Sequence, residues 1–299
     1  MHRVSCVIAT SQAHLETSPR QLALIGVHPV KSCRPVHPES WALTETGLEL
    51  DRAWMLIDET GRFISQRQVP GMAVIRTTIN DDHILVEYPD LPPLAISRLM
   101  KSDSETTKVR LHQADRLGID EGDLIANWFS QALGQKCRLV RSVPDIDPWR
   151  NPEPEGDAAN TRFPDLYPVL VTNTASLKAS FPDGRFPMAR FRPNLVIDST
   201  EPFAEDHWLK LSIGEVELEL VKPCARCKVT TVDQDTGQAG GPEPLQTLAR
   251  TRAWNQKAIF GWNALVRKPG LVRSGDHVQV LQKRMITFSI GNISADSTD

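Results

Sequence analysis

Short apolar runs that alternate with polar residues, each soon broken by Pro, Gly, Asn or Asp, dominate this chain and predict strands rather than helices. The first is Leu22–Val27, stopped by Pro29. Arg52–Ile57 and Arg62–Gln66 flank Asp58-Glu-Thr-Gly61, and Val74–Ile79 and His83–Tyr88 flank Asn80-Asp-Asp82. Both pairs read as hairpins, because Asn, Asp and Gly suit tight turns. Further strands are expected at Cys137–Val140, Pro168–Thr172, Leu195–Ile197, Glu215–Val221, Lys228–Val232 and His277–Leu281. One segment has a helical period. In Leu124–Leu133 the apolar residues at 124, 125, 128, 129, 132 and 133 share a face, with Asp120 as a start cap and Gly134 as a stop. A shorter helix opens at Thr174–Leu177, capped by Asn173 or Thr174.

The pattern predicts a mainly β protein with few helices, divided into a leader (1–19), a β-rich unit (20–141), a linker (142–165), a second β-rich unit (166–285) and a tail (286–299). The linker is assigned because that stretch is rich in Pro, Asp and Asn and has no apolar period. A length of 299 residues suits about two domains. The 22 Pro and 17 Gly favour many turns, which agrees with short strands. A net charge of −3 gives no strong attraction to nucleic acid or anionic membrane. No stretch reaches the ~18 apolar residues of a membrane span, and the apolar N-terminal run is short for a signal peptide. Five cysteines are too few and too odd a set for a disulfide-stapled secreted chain. A cytoplasmic protein is expected.

The candidate chemistry centres on Cys224-Ala-Arg-Cys227, a pair of thiols between the alternating runs Glu215–Val221 and Lys228–Asp233. Lys222, Arg226 and Lys228 surround them, and positive charge favours the thiolate. Spacing leaves several readings open. The pair could be half of a zinc site, although no second ligand pair accompanies it. It could be a redox dithiol, although β-branched residues follow it where a helix is usual. It could be a reactive or metal-binding thiolate with a structural neighbour, or two structural cysteines. Basic residues elsewhere offer anion contacts. Lys31-Ser32 sits at a strand end, and Asp51-Arg52 and Arg190-Phe-Arg192-Pro-Asn194 add bidentate guanidiniums. Pro193 biases Arg192 towards extended backbone. Taken singly, each is more often an exposed surface lysine or a salt-bridged surface arginine.

In order along the chain, His28-Pro-Val-Lys-Ser-Cys33, Gly47-Leu48, Asp51-Arg-Ala-Trp-Met-Leu56 and Ser65-Gln-Arg-Gln68 resemble the N-terminal β-barrel domain that precedes a MOSC domain. Phe191-Arg-Pro-Asn-Leu-Val-Ile197, Lys222-Pro-Cys-Ala-Arg-Cys227, Thr230-Thr-Val-Asp233, Asp235-Thr-Gly237, Glu243-Pro-Leu245 and Gly275-Asp276 resemble the MOSC domain itself, a β-barrel. The resemblance spans residues 22–283 and is to the mitochondrial amidoxime reducing components and their bacterial relatives.

That resemblance implies a molybdenum–pterin cofactor whose metal takes one protein cysteine. The family motif puts the ligand at Cys227, with Cys224 in support and as the alternative ligand. It places the pterin and its phosphate on Lys31, Ser32, Arg52, Thr172, Asn173 and Arg192, with Ala225 and Arg226 flanking the ligand and Asn194 and Asn263 at the rim. Asp233 matches a family acid near the site and is a candidate catalytic group alongside Cys227. The implied reaction is reduction of small N-hydroxylated substrates: amidoximes, hydroxylamines or N-hydroxylated bases. Electrons are expected from a separate ferredoxin, flavoprotein or haem protein, since no cysteine follows Cys227 to ligate an iron–sulfur cluster. The alternative is a MOSC protein that carries the cofactor or a sulfur on Cys227 without redox turnover. MOSC domains also end the cofactor sulfurases, whose large pyridoxal-phosphate domain has no counterpart here. Neither nucleic acid nor membrane is expected as a partner.

Overall fold

A computed structural model describes residues 20–100, 105–143, 161–164 and 166–285. The expected leader, the tail and most of the linker lie outside the described residues. Strands are the dominant regular element, with only three α-helices among the described residues, so the mainly-β expectation holds.

The largest sheet has eight strands. Its hydrogen-bonded path runs Gln21–Ile25, Leu195–Asp198, Val169–Asn173, Lys257–Lys268, Val216–Ala225, Trp208–Ile213 and Val278–Lys283, and Ala253–Trp254 pairs with Lys257–Lys268 beside it. The sheet curls until its first and last strands touch. Leu22 N–H donates to the Asp276 carbonyl at 2.8 Å, and Val278 N–H donates to that of Arg20 at 2.9 Å. Alternation along Val216–Ala225 shows why the sheet closes round a core: Val216, Leu218 and Leu220 are buried while Glu217 faces water. Their partners inside include Leu22, Val171, Ile197, Trp208, Leu211 and Trp262. Each such side chain contributes about 1.5–3 kcal/mol on burial.

A second core lies among Trp54, Leu56, Met72, Ile84, Val86, Phe129 and Leu139. It is enclosed by a four-stranded sheet (Trp54–Ile57, Arg138–Ser142, Ala114–Asp120, Thr106–Leu111), a three-stranded sheet (Arg76–Ile79, His83–Glu87, Leu94–Ser97) and the Asp123–Leu133 helix. The strand Gln21–Ile25, from the proposed first unit, is thus hydrogen-bonded into the sheet formed otherwise by the second. Ser40–Thr44 likewise pairs with Gly270–Arg273.

Several local expectations are corrected. Lys228–Thr231 is a 3-10 turn, not a strand. The Thr230 hydroxyl donates to the Cys227 carbonyl at 3.0 Å and that of Thr231 to the Lys228 carbonyl at 2.8 Å. These back-bonds compete with strand pairing. The Cys224 end of the CxxC segment belongs to the preceding strand. Asp120 does not cap the helix. Gly122 occupies the cap position, and the Asp120 carboxylate accepts from the Gly122 N–H at 2.8 Å in the turn before it. Leu124 is 75% exposed, because the core-facing residues are Ala126, Trp128, Phe129 and Ala132. Gly134 does end the helix, at φ 66°. In the first hairpin only Phe63 bridges back to Ile57, so the second arm is not a full strand. Asn173 caps the Thr174–Ser180 helix as expected, its Oδ1 accepting from the Ala175 N–H at 3.0 Å.

Candidate active site

The strand carrying the thiols is irregular where it matters. Register shifts fall between Leu220 and Lys222 and again between Pro223 and Ala225. Pro223 has no N–H to give the ladder, and such bulges re-aim the side chains beside them. Lys222, Cys224, Ala225, Arg226 and Cys227 consequently all line one cleft of about 470 Å³, a size suited to a small ligand or cofactor.

The opposite wall comes from the N-terminal part of the chain. Lys31 N–H donates to the Trp54 carbonyl at 2.8 Å, and its ammonium donates to that of Phe163 at 2.9 Å. Asp51 organises the next two residues: its carboxylate accepts from the His28 N–H at 2.8 Å and pairs with Arg52 at 2.5 Å. The Arg52 guanidinium also reaches the Arg192 carbonyl at 3.3 Å. Arg192 departs from expectation. It is not extended but left-handed, at φ 53° and ψ 48°, because it ends the 3-10 turn Met188–Phe191. The strand opposite makes room with Gly26, where a Cβ would sit 2.3 Å from the Pro193 carbonyl oxygen. Ser32 (φ 72°), Arg52 (φ 48°) and Asn255 (φ 47°) share that uncommon conformation and also line the cleft. Backbone strain of this kind concentrates at binding sites.

The cleft's electrostatics are one-sided. Seven lining residues are cationic (Lys31, Arg52, Arg67, Arg192, Lys222, Arg226, Lys257), and among the described residues none of the lining is Asp or Glu. The buried His28 ring behind them registers this field. Burial, then Arg52 and Arg192, hold its pKa well below the usual 6.5, so it is neutral, with Nε2 3.3 Å from the Pro193 carbonyl oxygen. The two thiols each meet a guanidinium. Arg67 Nη2 lies 3.4 Å from Cys227 Sγ and Arg226 Nη1 lies 2.9 Å from Cys224 Sγ. Cys33 and Cys137 are buried elsewhere with pKa values raised by burial, that of Cys33 to about 12, which keeps them as inert thiols. No group of three or more His, Cys, Asp or Glu that could hold a metal exists among the described residues. A metal on these thiols would have to bring its other ligands with it.

Of the residues singled out from sequence, Lys31, Ser32, Arg52, Arg192, Asn194, Ala225, Arg226, Cys227 and Asn263 line this cleft, and Thr172, Asn173 and Asp233 do not. Asn194 is tied to backbone, accepting from the Leu170 N–H at 3.0 Å and donating to the Gly26 carbonyl at 3.1 Å. Asn263 Nδ2 donates to the Lys222 carbonyl at 3.3 Å. Thr172 is fully buried on its strand and packs behind Gly261, where a Cβ would lie 2.8 Å from its methyl. The Asn173 amide, besides capping its helix, donates to the Glu201 carbonyl and the Glu205 carboxylate. Asp233 shapes a turn: Oδ1 accepts from the N–H groups of Asp235 and Thr236, and Oδ2 accepts from Arg190 at 2.8 Å. These hydrogen bonds hold its carboxyl below the usual range. Arg67 was missed, although it sits inside the quoted Ser65-Gln-Arg-Gln68 motif. Trp254 and Lys257 carried no sequence signal at all.

The fold and this cleft define a class that comparison with known sequences identifies. Residues 20–136 match the MOSC N-terminal beta barrel domain, and residues 159–279 match the MOSC domain. The chain belongs to the MOSC-domain family that includes the mitochondrial amidoxime reducing components. It is 32% identical to mitochondrial amidoxime reducing component 2 of Rattus norvegicus, over 87% of this chain and 84% of that protein. Identity to mitochondrial amidoxime-reducing component 1 of Homo sapiens is 31%, over 87% of this chain and 82% of that one. A molybdenum cofactor sulfurase of Oryza sativa is 32% identical over 85% of this chain but only 32% of its own length. No helix among the described residues is long and apolar enough to cross a membrane.

Proposed function

We propose that this chain is a molybdenum cofactor-dependent oxidoreductase that reduces small N-hydroxylated compounds, with electrons from a separate donor protein. The observation that carries this reading is the lining of the cleft: thiols at one wall and cations throughout, with no carboxylate among the described residues. A pterin cofactor presents a phosphate and a soft metal together. Lys31, Ser32, Arg52 and Arg192 are donors fit for the phosphate, with Ala225 and Arg226 beside the metal end and Cys227 as the thiolate. When bound, the cofactor supplies two-electron removal of an oxygen atom; an amidoxime with two electrons and two protons gives an amidine and water.

The chain's own residues bind, orient and tune. Asp51 fixes Arg52, and Gly26 with Asn194 fixes the Arg192 turn. Arg67 places a hydrogen-bond donor on the Cys227 sulfur, the kind of contact that orients a metal ligand and adjusts its donor strength. Asp233, through Arg190, braces the 3-10 turn after Cys227.

The likeness to a cofactor sulfurase favours a second reading, a carrier that hands its cofactor on. Protein expressed in a host competent in cofactor synthesis separates the two. The reductase should retain molybdenum and pterin in comparable amounts through gel filtration and should turn over benzamidoxime with an artificial electron donor. A carrier should lose both to an apo-acceptor and reduce nothing. Cys227→Ser should lose molybdenum while its circular dichroism is unchanged, and Cys224→Ser should keep most of it. Reversal of those two outcomes assigns the ligand to Cys224. Arg52→Ala should lower pterin content several-fold; full occupancy would remove Arg52 from the site.

A further inference from the structure

Of the seven cations in the cleft, Lys31 and Arg192 are buried, and Arg67 and Arg226 lie against the thiols. Lys257 is different. It is exposed at the mouth, on a hairpin the sequence did not mark. That hairpin joins Ala253–Trp254 to Lys257–Lys268 through a two-residue turn, Asn255-Gln256, both residues at positive φ (47° and 61°). Trp254 and Lys257 are direct cross-strand partners, so their side chains lie on the same face, and both line the cleft. The base of the hairpin is anchored. Arg252, just before it, forms a buried ion pair with Asp206 at 2.8 Å, and Asp206 also accepts from the Trp262 indole at 2.8 Å. A half-buried indole and an exposed ammonium are therefore held side by side at the cleft, with no carboxylate lining it among the described residues.

We infer that the Trp254–Lys257 hairpin selects the substrate: a planar N-hydroxylated compound bearing an anionic group, its ring against Trp254 and its anion at Lys257. This rests on the reductase reading above and names the substrate class of the same site. An indole face offers a planar ring a stacking partner. An exposed ammonium adds a modest, salt-sensitive attraction to an anion.

The test pairs 4-carboxybenzamidoxime with benzamidoxime as substrates of the loaded enzyme. In parallel it pairs the two products, 4-carboxybenzamidine and benzamidine, as calorimetric ligands. The acid should show a KM and a Kd lower by about three- to fivefold at low ionic strength, and the advantage should shrink in 0.5 M salt. Lys257→Ala should erase that advantage, and Lys257→Arg should restore it. Trp254→Ala should raise KM for both compounds, and Trp254→Phe should raise it less. An acid bound no better than the neutral compound, or a preference that survives in Lys257→Ala, overturns the proposal. If neither oxime is reduced, the reductase reading fails, while the calorimetric preference and its dependence on Lys257 still decide whether the hairpin selects anions.

Discussion

Glu205 is a buried carboxyl on the 3-10 turn Ala204–Asp206, where it accepts from Ser176 Oγ at 2.7 Å and Asn173 Nδ2 at 3.1 Å. Burial, and then the neighbouring Asp206, raise its pKa from 4.5 to about 7. The folded pKa lies above the unfolded one, so between these values the folded state binds more protons. Stability from this group is therefore greatest below about pH 4.5 and falls as pH rises through about 7. The loss at full ionisation is on the order of 3 kcal/mol. Glu205→Gln keeps the shape and an acceptor for Ser176 without the charge. Urea unfolding at pH 5 and pH 8 should show the variant gaining on the wild type at the higher pH. An equal difference at both values would mean that Glu205 does not titrate in that window. Asn173, expected at the cofactor from its motif position, instead ties this carboxyl to a helix cap, a role that spacing along the chain could not reveal.

At the scale of elements, alternation passed over some strands with one buried face, Thr106–Leu111 and Trp208–Ile213 among them, and identified others. Glu215–Val221 is the clearest case, and the prediction there is direct. Leu218→Ala empties a fully buried position in the large core and should cost about 2–5 kcal/mol in chemical unfolding. A cost below ~1 kcal/mol would mean that the core collapses round the gap. The same alternation misled at Lys228–Val232. There two of the four β-branched residues, Thr230 and Thr231, bond through their hydroxyls to the chain three residues back, and a 3-10 turn wins. Pro193 misled in the same way: its preference for an extended predecessor yields at Arg192 to the end of a tight turn packed against Gly26. Motif resemblance carried most of the cleft, since Lys31, Ser32, Arg52, Arg192, Arg226 and Cys227 all line it. What it could not carry was depth. Thr172 and Asp233 lie two and four residues from the nearest lining residues, Leu170 and Val229, but Thr172 is buried against Gly261 and Asp233 is taken up by its own turn. The Trp254–Lys257 hairpin escaped because a two-residue turn of Asn and Gln lacks the usual glycine signal.

At the scale of the whole molecule, the cleft exists only because distant parts of the chain meet in register, and two buried amides hold part of that register. Gln66 Nε2 donates to Gln234 Oε1 at 3.1 Å, and Gln234 Nε2 returns to Gln66 Oε1 at 2.9 Å, across 168 residues of chain. Gln66 Nε2 also reaches the Ser32 carbonyl at 2.7 Å, and Gln234 Nε2 that of Val232 at 3.1 Å. One amide therefore steadies the Lys31-Ser32 wall and the other the segment following Cys227. Truncating either leaves its partner's polar atoms buried and unmatched, which costs about 1–3 kcal/mol. Gln66→Ala and Gln234→Ala should each destabilise by that amount, and the double variant by clearly less than the sum, with a coupling of about 1 kcal/mol in chemical unfolding. Strict additivity would show that the two amides act separately. A loss of registry should further appear as reduced retention of pterin in each single variant at temperatures well below unfolding. Unchanged retention would confine the pair to stability, leaving the two walls positioned by the shared sheet alone.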